Sequence, residues 1–287
     1  MEQNRAGFIF IIPGELSSSL KKNKHVEVRL IADGSDSNQS LISLNRAAMI
    51  ITEFSRDVFK QDLERMKKKT GPVPSIGAQE RIWYNPGLKS ANTMVPGVIG
   101  MILLIVTLVV TAVSIVREKE NGNIEQITVT PIKPYQIILG KTMPYAGLGF
   151  VNIISTVLTG MIVFGIPFEG SFILLILLSV FMILASIGTG VLISTVSATQ
   201  QQAMLSAMFI ILPNILLSGF VFPIKNMPEI LQYFTYLLPL RYYMEIIRGI
   251  FLKGIGFEAL VPQTVMLFVF GAVLLTAAAK MFRKTVR

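Results

Sequence analysis

The chain has 287 residues, 52% of them hydrophobic and only 15% charged, with a mean hydropathy of +0.61 and a net charge of +9. A soluble domain carries about 25% charged residues, so the bulk of this protein is built for lipid. Nucleic acid is an unsuitable partner for its basic surplus: 14 of the 26 Lys and Arg precede residue 94 and the rest flank apolar segments, a pattern of membrane orientation rather than of a phosphate-reading face.

There is no cysteine and one histidine, His25 in KKNKHVEV. Thiol chemistry, cysteine-based zinc clusters and disulfides are excluded, and a lone His in a basic stretch reads as a surface residue.

Residues 1–93 read as a separate α/β domain. GFIFII (7–12) and VEVRLIA (26–32) have strand character, the second alternating Val26, Val28 and Leu30 on one face. Asp33-Gly34 signals a turn, and the Ser/Asp/Asn cluster after it suits a helix start. Leu41, Leu44, Ala48, Ile51, Phe54 and Val58 then recur at three- and four-residue steps, predicting a long amphipathic helix that ends in Lys67, Lys68 and Lys69. GPVPS breaks it, and 79–84 reads as a short strand with Trp83 and Tyr84 placed for an interfacial aromatic belt.

Crossing the hydrocarbon core takes about 20 apolar residues. Five segments of residues 94–287 qualify: 94–116, 143–164, 172–195, 203–222 and 264–282. Pro213 and Asn214 predict a kink in the fourth. Gly147, Gly149, Ser186 and Gly190 are small enough to admit close helix contacts.

The first loop carries Arg117, Lys119, Lys133 and Lys141, the tail carries Lys280, Arg283, Lys284 and Arg287, and the turn at 164–172 has no cation. Positive-inside places the first loop and the C-terminus in the cytoplasm and the N-terminal domain outside. No signal peptide delivers that domain, so a further transmembrane helix before residue 1 is expected.

The stretch at 117–141, REKENGNIEQITVTPIKPYQIILGK, admits three readings. One is a solvated connector that sets topology. A second is a phosphate loop, prompted by Gly140-Lys141-Thr142; it fails, because Tyr135 holds the first glycine position and no strand precedes it. A third is a docking element: Ile124, Ile127 and Val129 with Glu118, Glu120 and Glu125 make a short amphipathic segment, Gly122 permits a turn, and Pro131 and Pro134 fix the return of the chain.

RExExGxxEQxxVTPIxPxxxxLGK closely resembles the cytoplasmic coupling segment of permeases of the ATP-binding-cassette type-2 exporter family. On that resemblance Arg117, Glu118, Glu120, Gly122, Glu125, Gln126, Thr130, Pro131 and Lys141 belong to the segment that docks on an ATPase subunit. LSGFVFPIKNMPEILQYFTYLLPLRYYMEIIRGIFLKG (217–254) resembles the same family's outer re-entrant region, here taken as 223–256. It assigns Ser218, Gly219, Phe222, Pro223, Pro239, Arg241, Tyr242, Glu245 and Arg248 to an outer gate. An interfacial anchoring pair is the plainer alternative. IPGELSSSL and VRLIADGSDSN resemble the outer domain of the drug-exporter branch. Family members have six spans, so the five here correspond to their second to sixth.

The resemblance implies a polytopic α-helical membrane protein, five spans with a re-entrant region and a small extracytoplasmic α/β domain, set in a bacterial inner membrane. It implies a transport subunit, not an enzyme. No cofactor is expected on this chain, with ATP and magnesium held by a partner ATPase. A second permease subunit, identical or not, is expected as partner, and a periplasmic adaptor is compatible. The apolar segments after residue 142 carry almost no ionisable residue, whereas ion-coupled transport uses such groups. That favours external energy and an amphipathic or lipid-like cargo. The competing readings are a secondary transporter or channel, and a membrane-anchored outer binding domain.

Overall fold

A computed structural model of the chain describes residues 8–16, 18, 26–34, 37–65, 76–85, 87, 89–122 and 134–285. His25, Lys67, Lys68, Lys69, the GPVPS break, Glu125, Gln126, Thr130 and Pro131 lie outside them. The chain divides into two compact units, residues 1–93 and 94–287.

Among the described residues the first unit holds a three-stranded sheet and a long helix. Strand β1 (Phe8–Ile11) pairs antiparallel with β2 (Val26–Asp33), and β2 pairs parallel with β3 (Ile76–Trp83), in the order β1-β2-β3. A parallel pair requires a crossover, and α1 (Ser37–Arg65) supplies it. Strand β2 alternates as its sequence demands: Val26, Val28, Leu30 and Ala32 are buried while Glu27 and Arg29 are exposed. Leu44, Ala47 and Ile51 of α1 close over Val28, Leu30 and Ala32.

The third strand differs from the expected 79–84. It begins at Ile76 and ends at Trp83, because Tyr84 sits at φ 68°, a backbone region that breaks a strand and that bulky side chains rarely enter. Asn85 then organises the following turn. Its Oδ1 accepts from the Lys89 N–H at 3.2 Å and from Asn92 Nδ2 at 3.1 Å, and its Nδ2 donates to the Lys89 carbonyl at 3.0 Å.

The second unit contains α2 (Ser90–Glu120), α3 (Pro134–Ile162), α4 (Phe172–Val196), α5 (Gln200–Leu217), α6 (Glu229–Thr235), α7 (Pro239–Lys253) and α8 (Phe257–Thr285), with a 3-10 turn at Ile224–Asn226 between α5 and α6. Five of these helices, α2, α3, α4, α5 and α8, are long and apolar enough to cross a membrane. On α2 the buried residues Ile99, Leu103, Leu104, Leu108, Ala112, Ile115 and Val116 form one helical stripe. Helix α4 carries buried residues along its length, from Leu175 through Met182 and Ile187 to Val191, while Ile173 and Leu177 are exposed.

Helix boundaries depart from the apolar runs, each for a local reason. Helix α2 continues a turn past Val116 through the charged residues to Glu120, with Arg117 and Lys119 in its last turn, where cations suit the negative end of the helix. Helix α3 starts at Pro134, so Lys141 lies inside a helix and not in a loop. Helix α5 starts at Gln200 because Thr199 caps it, its Oγ1 accepting from the Gln202 N–H at 3.2 Å. It ends at Leu217, and Gly219 at φ 83° turns the chain away, so Phe220 to Phe222 are not helical. The helix runs unbroken through Pro213, with Asn214 Nδ2 donating to the Ile210 carbonyl at 2.9 Å. Helix α8 starts at Phe257, ahead of Pro262.

Helix α7 has the clearest punctuation. Pro239 occupies its first turn and Gly254, at φ 61°, closes it, the expected asymmetry of proline and glycine. Its buried face is complete: Leu240, Tyr243, Ile246, Ile247, Ile250 and Phe251 are all fully enclosed. The edge of the Phe251 ring meets Phe168, with centroids 4.7 Å apart.

Candidate functional site

Two groups of residues singled out from the sequence occupy separate parts of the second unit. The first is the charged end of α2. Arg117, Glu118, Lys119 and Glu120 are helical rather than loop residues. The helix closes through the Asn121 N–H to the Arg117 carbonyl and the Gly122 N–H to the Lys119 carbonyl, both at 3.1 Å. Gly122 adopts φ 71°, the left-handed conformation in which glycine ends a helix without strain.

Lys119 and Glu120 reach the turn between α4 and α5. Lys119 Nζ donates to the Ser197 carbonyl at 3.2 Å. The Glu120 carboxylate accepts from the Gln200 backbone N–H at 2.9 Å and from the Gln200 side-chain amide. The side-chain amide of Gln200, with its backbone N–H, holds the exposed Glu120 carboxyl below the usual carboxylate pKa. Glu120, read from the sequence as a partner-facing acid, is thus engaged within its own chain. Sequence reasoning missed Gln200 and Ser197. The signal was present in Thr199-Gln-Gln-Gln202, which resembles a capping box and marks a helix start with unsatisfied N–H groups.

The second group lies around α7. Ser218 is buried, and its Oγ donates to the Ile215 carbonyl at 3.1 Å. The Gly219 carbonyl accepts from Arg248 Nη1 at 3.3 Å. Phe222 is exposed, and Pro223 precedes the 3-10 turn. Pro239 is buried at the start of α7.

The Arg241 guanidinium carbon lies 3.8 Å from the centroid of the Tyr236 ring, a cation–π contact. Its Nη1 also donates to Thr235 Oγ1. The Tyr242 hydroxyl donates to the Tyr236 carbonyl at 3.0 Å. Glu245 Oε2 accepts from Gln263 Nε2 of α8 at 2.8 Å. Arg241 and Tyr242 therefore fasten α6 to α7, Arg248 fastens the end of α5, and Glu245 fastens α8. A further tie lay outside the sequence reading: the Tyr243 hydroxyl and Ser179 Oγ are 2.7 Å apart in the core.

Among the described residues no group of three or more His, Cys, Asp or Glu could hold a metal. The contacts are fasteners between helix ends.

A family profile described as "ABC-2 family transporter protein" matches residues 1–280. The chain is similar to the "Probable multidrug ABC transporter permease YbhR" of Escherichia coli (strain K12), 32% identical over 286 residues, which covers 100% of this chain and 76% of that protein. It is also similar to the "Probable multidrug ABC transporter permease YbhS" of the same organism, 28% identical over 260 residues, 88% of this chain and 66% of that one. The "Inner membrane transport permease YhhJ" aligns at 30% identity over 222 residues, 74% of this chain and 57% of its own length. Matched by that profile over nearly its whole length, the chain belongs to the ABC-2 family of transporter proteins.

Proposed function

We propose that this ABC-2 permease is driven by a separate ATP-binding-cassette ATPase that docks at residues 117–141 and supplies the energy for outward transport. The observation that carries this is the continuity of α2. Its 31 residues measure about 46 Å at 1.5 Å per residue, and the hydrocarbon core takes up about 30 Å. The charged end therefore projects from the span as a rigid extension of it, and a push there moves the whole helix. Between residues 143 and 222 the only charged residue is Glu169, so the spans hold no charge relay of the kind ion-coupled carriers use.

The cargo is amphipathic and drug-like. This follows from the apolar spans and from relatives named as multidrug permeases. ATP and magnesium belong to the partner subunit. Two permease subunits make the pathway, with 223–256 as its re-entrant outer side. The first unit lies outside the inner membrane and the C-terminus in the cytoplasm. A periplasmic adaptor is compatible with that placement.

The test is purification of the tagged full chain from native membranes in mild detergent. An ATP-binding-cassette ATPase should accompany it. Glu118→Lys should lower that recovery at unchanged membrane abundance, because juxtaposed like charges cost on the order of several kcal/mol and acidic residues contribute little to topology. No accompanying ATPase, or full recovery with Glu118→Lys, overturns the docking reading. Reporters inserted after Asn121 and Arg287 should read cytoplasm, and one at Gly34 the exterior.

A further inference from the structure

Lys119 and Glu120 are adjacent residues of opposite charge that hold two opposite helix ends. Ser197, whose carbonyl takes the Lys119 ammonium, is the C-cap of α4, and a cation there suits the negative end of that helix. Gln200, whose N–H and amide meet the Glu120 carboxylate, is the first residue of α5. First-turn N–H groups have no acceptor within the helix, and a carboxylate supplies both the acceptor and the compensating charge. Two further donors are met within the turn: Thr199 Oγ1 takes the Gln202 N–H at 3.2 Å, and Gln202 Oε1 takes the Ala198 N–H at 2.8 Å. The Gln200 donors are met from another helix.

At its other end α5 is also held. Its 18 residues form a rod of about 27 Å, and just beyond it the Gly219 carbonyl accepts from Arg248 of α7.

We infer that Glu120, supported by Lys119, is a positioning residue that clamps the inner end of α2 to the N-terminus of α5. Displacement of the α2 end then travels along α5 to the turn at Ser218 and Gly219, and through Arg248 to α7. The inference rests on the ATP-driven reading for the source of the displacement; the clamp itself does not.

Two measurements test it, and the absence of cysteine from the chain removes background labelling from both. In the first, nitroxides on Asn121→Cys and Gln201→Cys, both exposed, report the α2–α5 distance in nanodiscs by pulsed electron spin resonance, without any partner. One narrow distance is expected. Glu120→Ala should broaden it, and Gln200→Pro should broaden it equally. Proline is favoured at the first helical position, and Thr199 before it is already extended at φ −125° and ψ 155°, as a residue preceding proline must be. Helix α5 therefore survives while both donors to Glu120 are lost. The combined variant should be no broader than either, and Glu120→Gln, which keeps an acceptor, should recover part of the order. An unchanged width in Glu120→Ala overturns the clamp.

The second measurement uses the complex with the co-purifying ATPase. A membrane-impermeant maleimide reads Val221→Cys near the outer turn, with and without ATP. Glu120→Ala and Gln200→Pro should each cut the ATP-dependent change in labelling rate by roughly twofold to thirtyfold, the range seen when coupling residues are removed. ATPase recovery and hydrolysis should remain in Gln200→Pro, whose position lies outside the docking segment. Loss of the ATPase in Glu120→Ala with none in Gln200→Pro would make Glu120 a docking residue and overturn the inference. If no ATPase accompanies the unaltered chain while the spin distances behave as expected, the clamp stands and the ATP-driven reading falls.

Discussion

Replacing Gly190 with Ala adds a single carbon to α4 where it packs against Leu108 and Thr111 of α2. That Cβ would stand 2.8 Å from the Leu108 carbonyl oxygen, 2.9 Å from Thr111 Cβ and 3.1 Å from Thr111 Cγ2. Comfortable heavy-atom contacts lie nearer 3.5 Å, so α2 must retreat by about half an ångström, against backbone rather than a flexible chain end. Such overpacking costs about 1–3 kcal/mol. Ala also gains about 1 kcal/mol over Gly in helix propensity, which makes the net loss about 0–2 kcal/mol.

Gly147 on α3 provides the control, since its added Cβ meets nothing within 4 Å. Gly147→Ala should keep the propensity gain without the clash. The two variants should therefore differ by about 1–3 kcal/mol, read as midpoint separation in thermal unfolding of the purified chain in one detergent. Gly190→Val should widen the gap. Equal stability of Gly190→Ala and Gly147→Ala would refute the claim that α2 and α4 meet backbone to side chain at this point.

Other outcomes follow from single contacts. Ser179→Ala should cost about 1–3 kcal/mol in the same assay, because it strands the buried Tyr243 hydroxyl. Tyr243→Phe should cost less, about 0.5–1.5 kcal/mol, since Ser179 keeps its bond to the Leu175 carbonyl. Gly254→Ala should destabilise by about 1–2 kcal/mol through its left-handed backbone alone, and further because the new Cβ would stand 2.8 Å from the Glu169 carbonyl oxygen. Gly165, also at positive φ but with open space around it, should show only the first cost.

The clamp should also depend on pH in one direction. The folded Glu120 pKa is depressed by its bonds to Gln200, so its contribution is complete above the ordinary carboxylate value of about 4.3 and is lost as pH falls through the lower, folded one. The α2–α5 distance should stay narrow from about pH 8 to about pH 6 and broaden only in acid; broadening near neutrality would contradict the assignment.

The membrane character and the number of apolar spans were legible in the sequence, because crossing hydrocarbon requires long runs of apolar residues whatever their neighbours. The alternation in β2 was legible for a similar reason: it records which face is buried through a fixed period. The stripe expected on α1 was legible only in part, since Leu44 and Ile51 are buried while Leu41 and Phe54 are exposed. The family was legible in two motifs. Helix ends were less so. Arg117 to Glu120 lack the apolar character that marks a span, yet they remain helical because backbone hydrogen bonding continues until Gly122 ends it. Phe220 to Phe222 have that character, yet fall outside α5 because Gly219 turns the chain.

What no reading of the chain in order could supply was the partner of each polar group. Glu120 and Gln200 are 80 residues apart, and Ser179 and Tyr243 are 64 apart. The choice of which glycine is pressed against a neighbour, Gly190 or Gly147, likewise belongs to the crossing of helices. Local propensity and hydrophobic period act over one or two turns. The contacts that fasten one helix end to another exist only once packing has brought those ends together, and so the tertiary structure alone decided them.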